Sequence, residues 1–131
     1  MLAMSHAPTT LPPALACVLD EASLQRLHEL DPQGENRVVE RVLRAFEASL
    51  ARLLPQAQQA LAQGDHEALR HVVHTLKSSS ASVGALALSR YCSEIENRLR
   101  LQQAEGLAER LAVMDAEGKR VLAAVRSLLP E

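Results

Sequence analysis

The side chains with the clearest chemical potential in this chain sit close together: Arg70, His71, His74, Lys77 and Ser78, followed by the small run Ser79-Ser80-Ala81-Ser82. At about 100° per residue of α-helix, His74 lies about 160° from Val72 and Leu76 and about 140° from Leu69, so it points away from the apolar stripe of its own segment. Lys77 and Ser78 fall within about 60° of it, and Arg70 and His71 do so one turn earlier. The spacing predicts an exposed imidazole in a basic strip. Such an imidazole is mostly neutral at pH 7 and keeps one ring nitrogen free to attack an electrophile. The Lys77 ammonium suits an incoming phosphoryl group, whose transfer depends on position and electrostatics. Serines are mediocre in helix interiors, so packing propensity does not account for Ser78, Ser79, Ser80 and Ser82. They do keep the surface beside His74 low.

Other chemistries are less well supplied. His71 and His74 at i, i+3 form half of a metal site, but no carboxylate-histidine pattern on a second segment completes it, so no metal is expected. There is no GxxxxGK[ST] and no glycine-rich nucleotide loop, hence no expected cofactor. Cys17 and Cys92 are far apart and form no CxxC, which suits a reducing cytosol and a cytoplasmic location. With 14 basic and 16 acidic residues the formal charge is −2. No Lys/Arg run interleaves with aromatics, which argues against nucleic-acid binding. His6, His28 and His66 have nothing near them to suggest reactivity. Arg70 and Lys77 also admit the reading of an ordinary solvated face. Ser79 and Ser80 read as packing residues, and Glu96 as a structural residue that caps or pairs within the fold.

The elements that must position this strip follow from composition and period. The 131 residues fit one domain; 47% are hydrophobic and 23% charged, with Ala and Leu dominant. Residues 1 to about 18, with Pro8, Thr9, Thr10, Pro12 and Pro13, read as a flexible leader or linker, leaving 19–131 as the domain. The amino terminus lacks the basic region of a signal peptide, and no stretch approaches the roughly 18 apolar residues of a membrane span, so no direct membrane contact is expected. Asp20 offers an N-cap to a short helix carrying Leu24, Leu27 and Leu30, stopped at Asp31-Pro32-Gln33-Gly34. Val39, Val42, Leu43, Phe46, Leu50, Leu53, Ala57, Ala60 and Leu61 keep one helical phase past Pro55. They predict a long helix kinked there or two abutting helices. Asp65 caps a third segment with Leu69, Val72, Val73, Leu76, Ser80 and Val83 inward, and Gly84 marks a change of element. A fourth, from Ala85 to about Gln103, buries Leu88, Cys92, Ile95 and Leu99. A last one carries Leu107, Leu111, Met114, Val121, Leu122, Val125 and Leu128, with Gly118 on its apolar stripe. The two aromatics, Phe46 and Tyr91, are expected to serve the aliphatic core. No strand alternation and no fixed repeat appear, so the fold class is all-α: an antiparallel four-helix bundle with a short additional N-terminal helix.

The ordered run His74-Thr75-Leu76-Lys77-Ser78-Ser79-Ser80, then Val83-Gly84-Ala85, Leu88, Cys92 and Glu96, resembles histidine phosphotransfer (HPt) domains. Their pattern is roughly H-x-L-K-G-[SA]-[SA]-x-x-[LIV]-G-A, followed by an apolar position, a small or Cys position and an acidic residue on the next helix. The likeness covers residues 20 to 129 in helix layout and residues 73 to 96 in specific motif. It implies that His74 accepts a phosphoryl group from a receiver-domain aspartyl phosphate and passes it to a response-regulator aspartate, with Lys77 contacting the phosphoryl group. It further implies a carrier that is not an enzyme, whose partners are response-regulator receiver domains and a hybrid sensor histidine kinase. Any metal ion would sit on the receiver. Arg70, His71, Ser78, Ala81 and Ser82 are the expected docking residues, contact should be transient, and a monomer is the default. One departure is Ser78, where the family usually has glycine; its hydroxyl faces the docking partner and is placed to bond the phosphoryl group or His74. Two alternatives use the same residues. The phosphoacceptor helices of a sensor kinase generally have an acidic residue after the histidine, where this chain has Thr75. A helical adaptor would bind receivers without carrying phosphate.

Overall fold

The computed structural model describes residues 13–16 and 18–130. Among them are six helical segments and no strand: α1 (Pro13–Ala16), α2 (Glu21–Glu29), α3 (Val38–Ala62), α4 (His66–Ser82), α5 (Leu86–Arg100) and α6 (Leu107–Leu128). The single turn α1 falls in the segment read as leader, and Leu15 and Val18 pack against the core. Residues 1–12 and Cys17 lie outside the described residues.

Each start has a local cause. Asp20 Oδ2 accepts hydrogen bonds from the Ser23 amide at 2.9 Å and the Ser23 hydroxyl at 2.8 Å, satisfying an otherwise orphaned N–H of α2. Asp65 does the same for the Ala68 amide of α4 at 3.1 Å. Buried Asp31 accepts from the amides of Asn36 at 2.8 Å and Val38 at 3.3 Å, so the loop stop also organises the entry to α3. α3 is one helix through Pro55.

Helix α3 packs on α4, α4 on α5, α5 on α6 and α6 back on α3, which closes a four-helix bundle; α2 lies against α3. Its centre is the apolar set expected from the period, including Leu50, Leu69, Val73, Leu76, Leu88, Cys92, Ile95, Leu111, Met114, Val121 and Val125. Gly118 is buried too: a Cβ there would come within 2.7 Å of Leu54, so the glycine lets α3 and α6 approach closely. Of the two aromatics Phe46 is buried, whereas Tyr91 is only partly so, its ring 5.9 Å from the Arg90 guanidinium.

Helix α5 ends at Arg100, short of Gln103. Gln102 takes a left-handed φ of 58°, its amide donating to Leu99 O at 3.1 Å while the Gln103 amide donates to Arg98 O at 2.8 Å. That is the Schellman closure, formed here without the glycine that normally signals it. At the end of α4 the same closure uses Gly84, with φ 85°; the Gly84 amide donates to Ala81 O and the Ala85 amide to Ser80 O. Gly84 O also accepts from the Asp20 amide at 2.8 Å, tying α2 to the turn between α4 and α5. Among the described residues, no helix is long and apolar enough to cross a membrane.

Candidate functional site

Helix α4 buries Leu69, Val72, Val73, Leu76 and Ser80 and leaves Arg70, His71, His74, Thr75, Ser78, Ala81 and Ser82 exposed, the division its 3.6-residue period requires. The His74 side chain is 62% exposed. All the residues read as candidate contacts therefore share one face, with Lys77 at its edge, half-buried against α5.

The neighbouring helix completes the arrangement. Glu96 on α5 places Oε2 at 2.6 Å from His74 Nδ1, and its Oε1 accepts a hydrogen bond from Lys77 Nζ, also at 2.6 Å. Its side chain is only 16% exposed. The Lys77 ammonium holds the Glu96 carboxyl below the usual carboxylate range, and the bond from His74 adds to this against the opposing effect of partial burial. At neutral pH the carboxylate is therefore an acceptor only, so Nδ1 carries the proton that lies between them, and in the neutral form of the ring the lone pair is on Nε2. The Ser89 hydroxyl donates to Lys77 O at 2.8 Å, which further ties α5 to this turn of α4.

Glu96, expected to cap or pair within the fold, does pair, and its partners are the two residues singled out for chemistry. The signal in the sequence was the acidic position on the helix after the histidine; what spacing alone lacks is the register between the two helices. Arg70 bonds Glu67 at 2.9 Å one turn earlier, and both are largely exposed. Arg70 also lines, with Lys77, Ser93, Glu96, Asn97 and Arg100, a shallow concavity of about 250 Å³ beside the histidine. The serines differ from one another. Ser79 Oγ donates to Thr75 O at 3.2 Å and Ser82 Oγ to Ser78 O at 3.1 Å. Ser80 Oγ is buried without a partner among the described residues, and the exposed Ser78 hydroxyl makes no hydrogen bond among them. Among the described residues no three His, Cys, Asp or Glu side chains gather as a metal site requires. Cys92 lies at the core beneath this site, and burial pushes its thiol up to about 12.

The site thus presents an exposed imidazole, an ammonium beside it and a low, small-residue surface around it. Comparison with solved structures returns the same architecture. Histidine-containing phosphotransfer protein B from Pseudomonas aeruginosa PAO1 superposes with a TM-score of 0.76 at 27% identity, covering 86% of this chain and 95% of that one. The HPT domain of the Hpt sensor hybrid histidine kinase from Shewanella matches in fold with a TM-score of 0.74 at 23% identity, covering 87% and 94%. No curated protein matches. The family model described as the Hpt domain matches residues 41–128, which hold α4, α5, α6 and nearly all of α3. With the helices, the exposed histidine and that match in agreement, the chain belongs to the Hpt domain family, with a phosphotransfer role in two-component signalling.

Proposed function

We propose that this chain is a phosphorelay intermediate that carries a phosphoryl group on Nε2 of His74. The observation that supports this most directly is the 2.6 Å contact between His74 Nδ1 and an ionised Glu96, which in the neutral ring puts the lone pair on Nε2 of a largely exposed side chain. In the accepting step Nε2 forms a bond to phosphorus as the acyl oxygen–phosphorus bond of a receiver's aspartyl phosphate breaks, and the aspartate leaves as a carboxylate. Nδ1 keeps its proton on the Glu96 side, so the positive charge that develops on the ring is stabilised by that carboxylate. Lys77 supplies a second favourable charge: its ammonium reaches the phosphoryl oxygens by exchanging its bond to Glu96. The donating step is the reverse, toward the aspartate of another receiver. The chain acts as a carrier and not as a kinase.

The surface formed by Arg70, His71, Ser78, Ala81 and Ser82 is the docking face for receiver domains of response regulators and of a hybrid sensor kinase. Small side chains let a receiver's aspartyl phosphate approach the imidazole, and contact is brief because a carrier must release what it has phosphorylated. The test is transfer from a phosphorylated receiver to wild type and to His74→Gln, scored as acid-labile phosphate. Label on wild type alone supports the carrier. Label on neither, with phosphoramidate also failing to modify His74, favours an adaptor that binds receivers without phosphate, and labelling by ATP alone would instead mean autokinase activity.

A further inference from the structure

Helix geometry divides the neighbours of His74 into two sides. Viewed down α4, Lys77 lies about 60° to one side of His74 and Ser78 about 40° to the other. The contact of Lys77 with Glu96 shows which side faces α5, and Arg70, in the concavity with Lys77 and Glu96, lies on that same side. His74 turns Nδ1 toward Glu96. The two ring nitrogens of imidazole point in divergent directions, so Nε2 is not the atom that faces Glu96, and Ser78 is the exposed neighbour one turn on, on the side of His74 opposite Lys77. Cα–Cβ bonds in a helix all tilt toward its N-terminus, those of His74 and Ser78 alike, so the two stay neighbours on successive turns of one face, with His71 one turn earlier. The i and i+4 Cβ atoms are about 5–6 Å apart, within reach of a phosphoryl group carried by the ring.

The hydroxyl is also uncommitted. Ser79 and Ser82 spend theirs on carbonyls of α4 and Ser80 is buried, whereas Ser78 Oγ is exposed and makes no hydrogen bond among the described residues. We infer that Ser78 is a product-binding residue: once His74 is phosphorylated on Nε2, the Ser78 hydroxyl donates a hydrogen bond to a phosphoryl oxygen. This rests on the carrier reading of His74. The consequence is that the charged phosphohistidine is held by this chain itself, from the Ser78 side, independently of Lys77 and of any partner.

A donor that bonds the dianionic phosphoryl group lowers its affinity for a proton, which gives a measurement free of any partner protein. The full chain is phosphorylated with phosphoramidate and titrated by ³¹P NMR as wild type, Ser78→Ala and Ser78→Thr, with His74→Gln as the blank. An exposed hydrogen bond to a charged group predicts that Ser78→Ala raises the phosphoryl protonation constant roughly threefold to tenfold, while Ser78→Thr, which keeps the hydroxyl, stays within twofold of wild type. If Ser78→Ala titrates with wild type, or Ser78→Thr with Ser78→Ala, the hydroxyl has no such role although His74 still carries phosphate. If no phosphohistidine signal forms on wild type, the carrier reading fails and this inference with it.

Discussion

His74 takes its orientation from a residue on another helix, and that dependence is measurable one side chain at a time. Glu96→Ala removes the acceptor for Nδ1–H and the partner of Lys77, so the ring is expected to populate both tautomers and to lose its fixed direction. Losing one charge-assisted hydrogen bond corresponds to about tenfold in rate, so phosphoramidate should modify His74 about tenfold more slowly, with the mixed tautomers visible in ¹⁵N shifts. A wild-type rate would mean that the orientation is set elsewhere. The same carboxylate gives stability a pH dependence. Its folded value lies below the ordinary 4.5, so its contribution is complete above that value and is lost as pH falls through the lower, folded one. The stability difference between wild type and Glu96→Gln, measured by urea unfolding, should therefore shrink on acidification below about pH 4.5.

At the scale of the helices, what the sequence made legible was whatever has a local cause. Asp20 and Asp65 declare their caps by residue type, and the apolar periods placed nearly the whole core and turned His74 outward. Two features have no local signature. The end of α5 falls before the position its residues signal because Gln102, not glycine, occupies the left-handed position, and Glu96 reaches His74 through a register that only packing sets. These helix ends yield opposite predictions. In Gly84→Ala a Cβ would lie 2.9 Å from Asp20 O and from Ser23 Cβ, in a left-handed residue, so thermal unfolding should show a loss of about 2–4 kcal/mol. Gln102→Gly relieves the same backbone conformation where the chain is exposed, and should stabilise by about 1 kcal/mol. A destabilised Gln102→Gly would contradict the proposed origin of the α5 end.

The whole bundle holds a buried apolar layer beneath the exposed face of α4. Cys92, fully buried at the centre with its thiol pushed up to about 12, is protonated and shielded at neutral pH, so iodoacetamide should label its peptide only as fast as the molecule opens globally. Labelling faster than unfolding would reveal local opening between α4 and α5. The core also separates carriage of phosphate from stability: His74 lies off the buried stripe, so its loss should leave melting nearly unchanged. The central claim is that the molecule both receives and hands on a phosphoryl group through that one exposed ring. The most direct measurement is a two-stage transfer: radiolabelled phosphate passes from a charged receiver to the chain, the chain is purified, and an uncharged second receiver is added. The account predicts acid-labile label on wild type but not on His74→Gln, followed by its appearance on the second receiver's aspartate; label that never reaches the chain, or reaches it and cannot leave for any receiver, would contradict it.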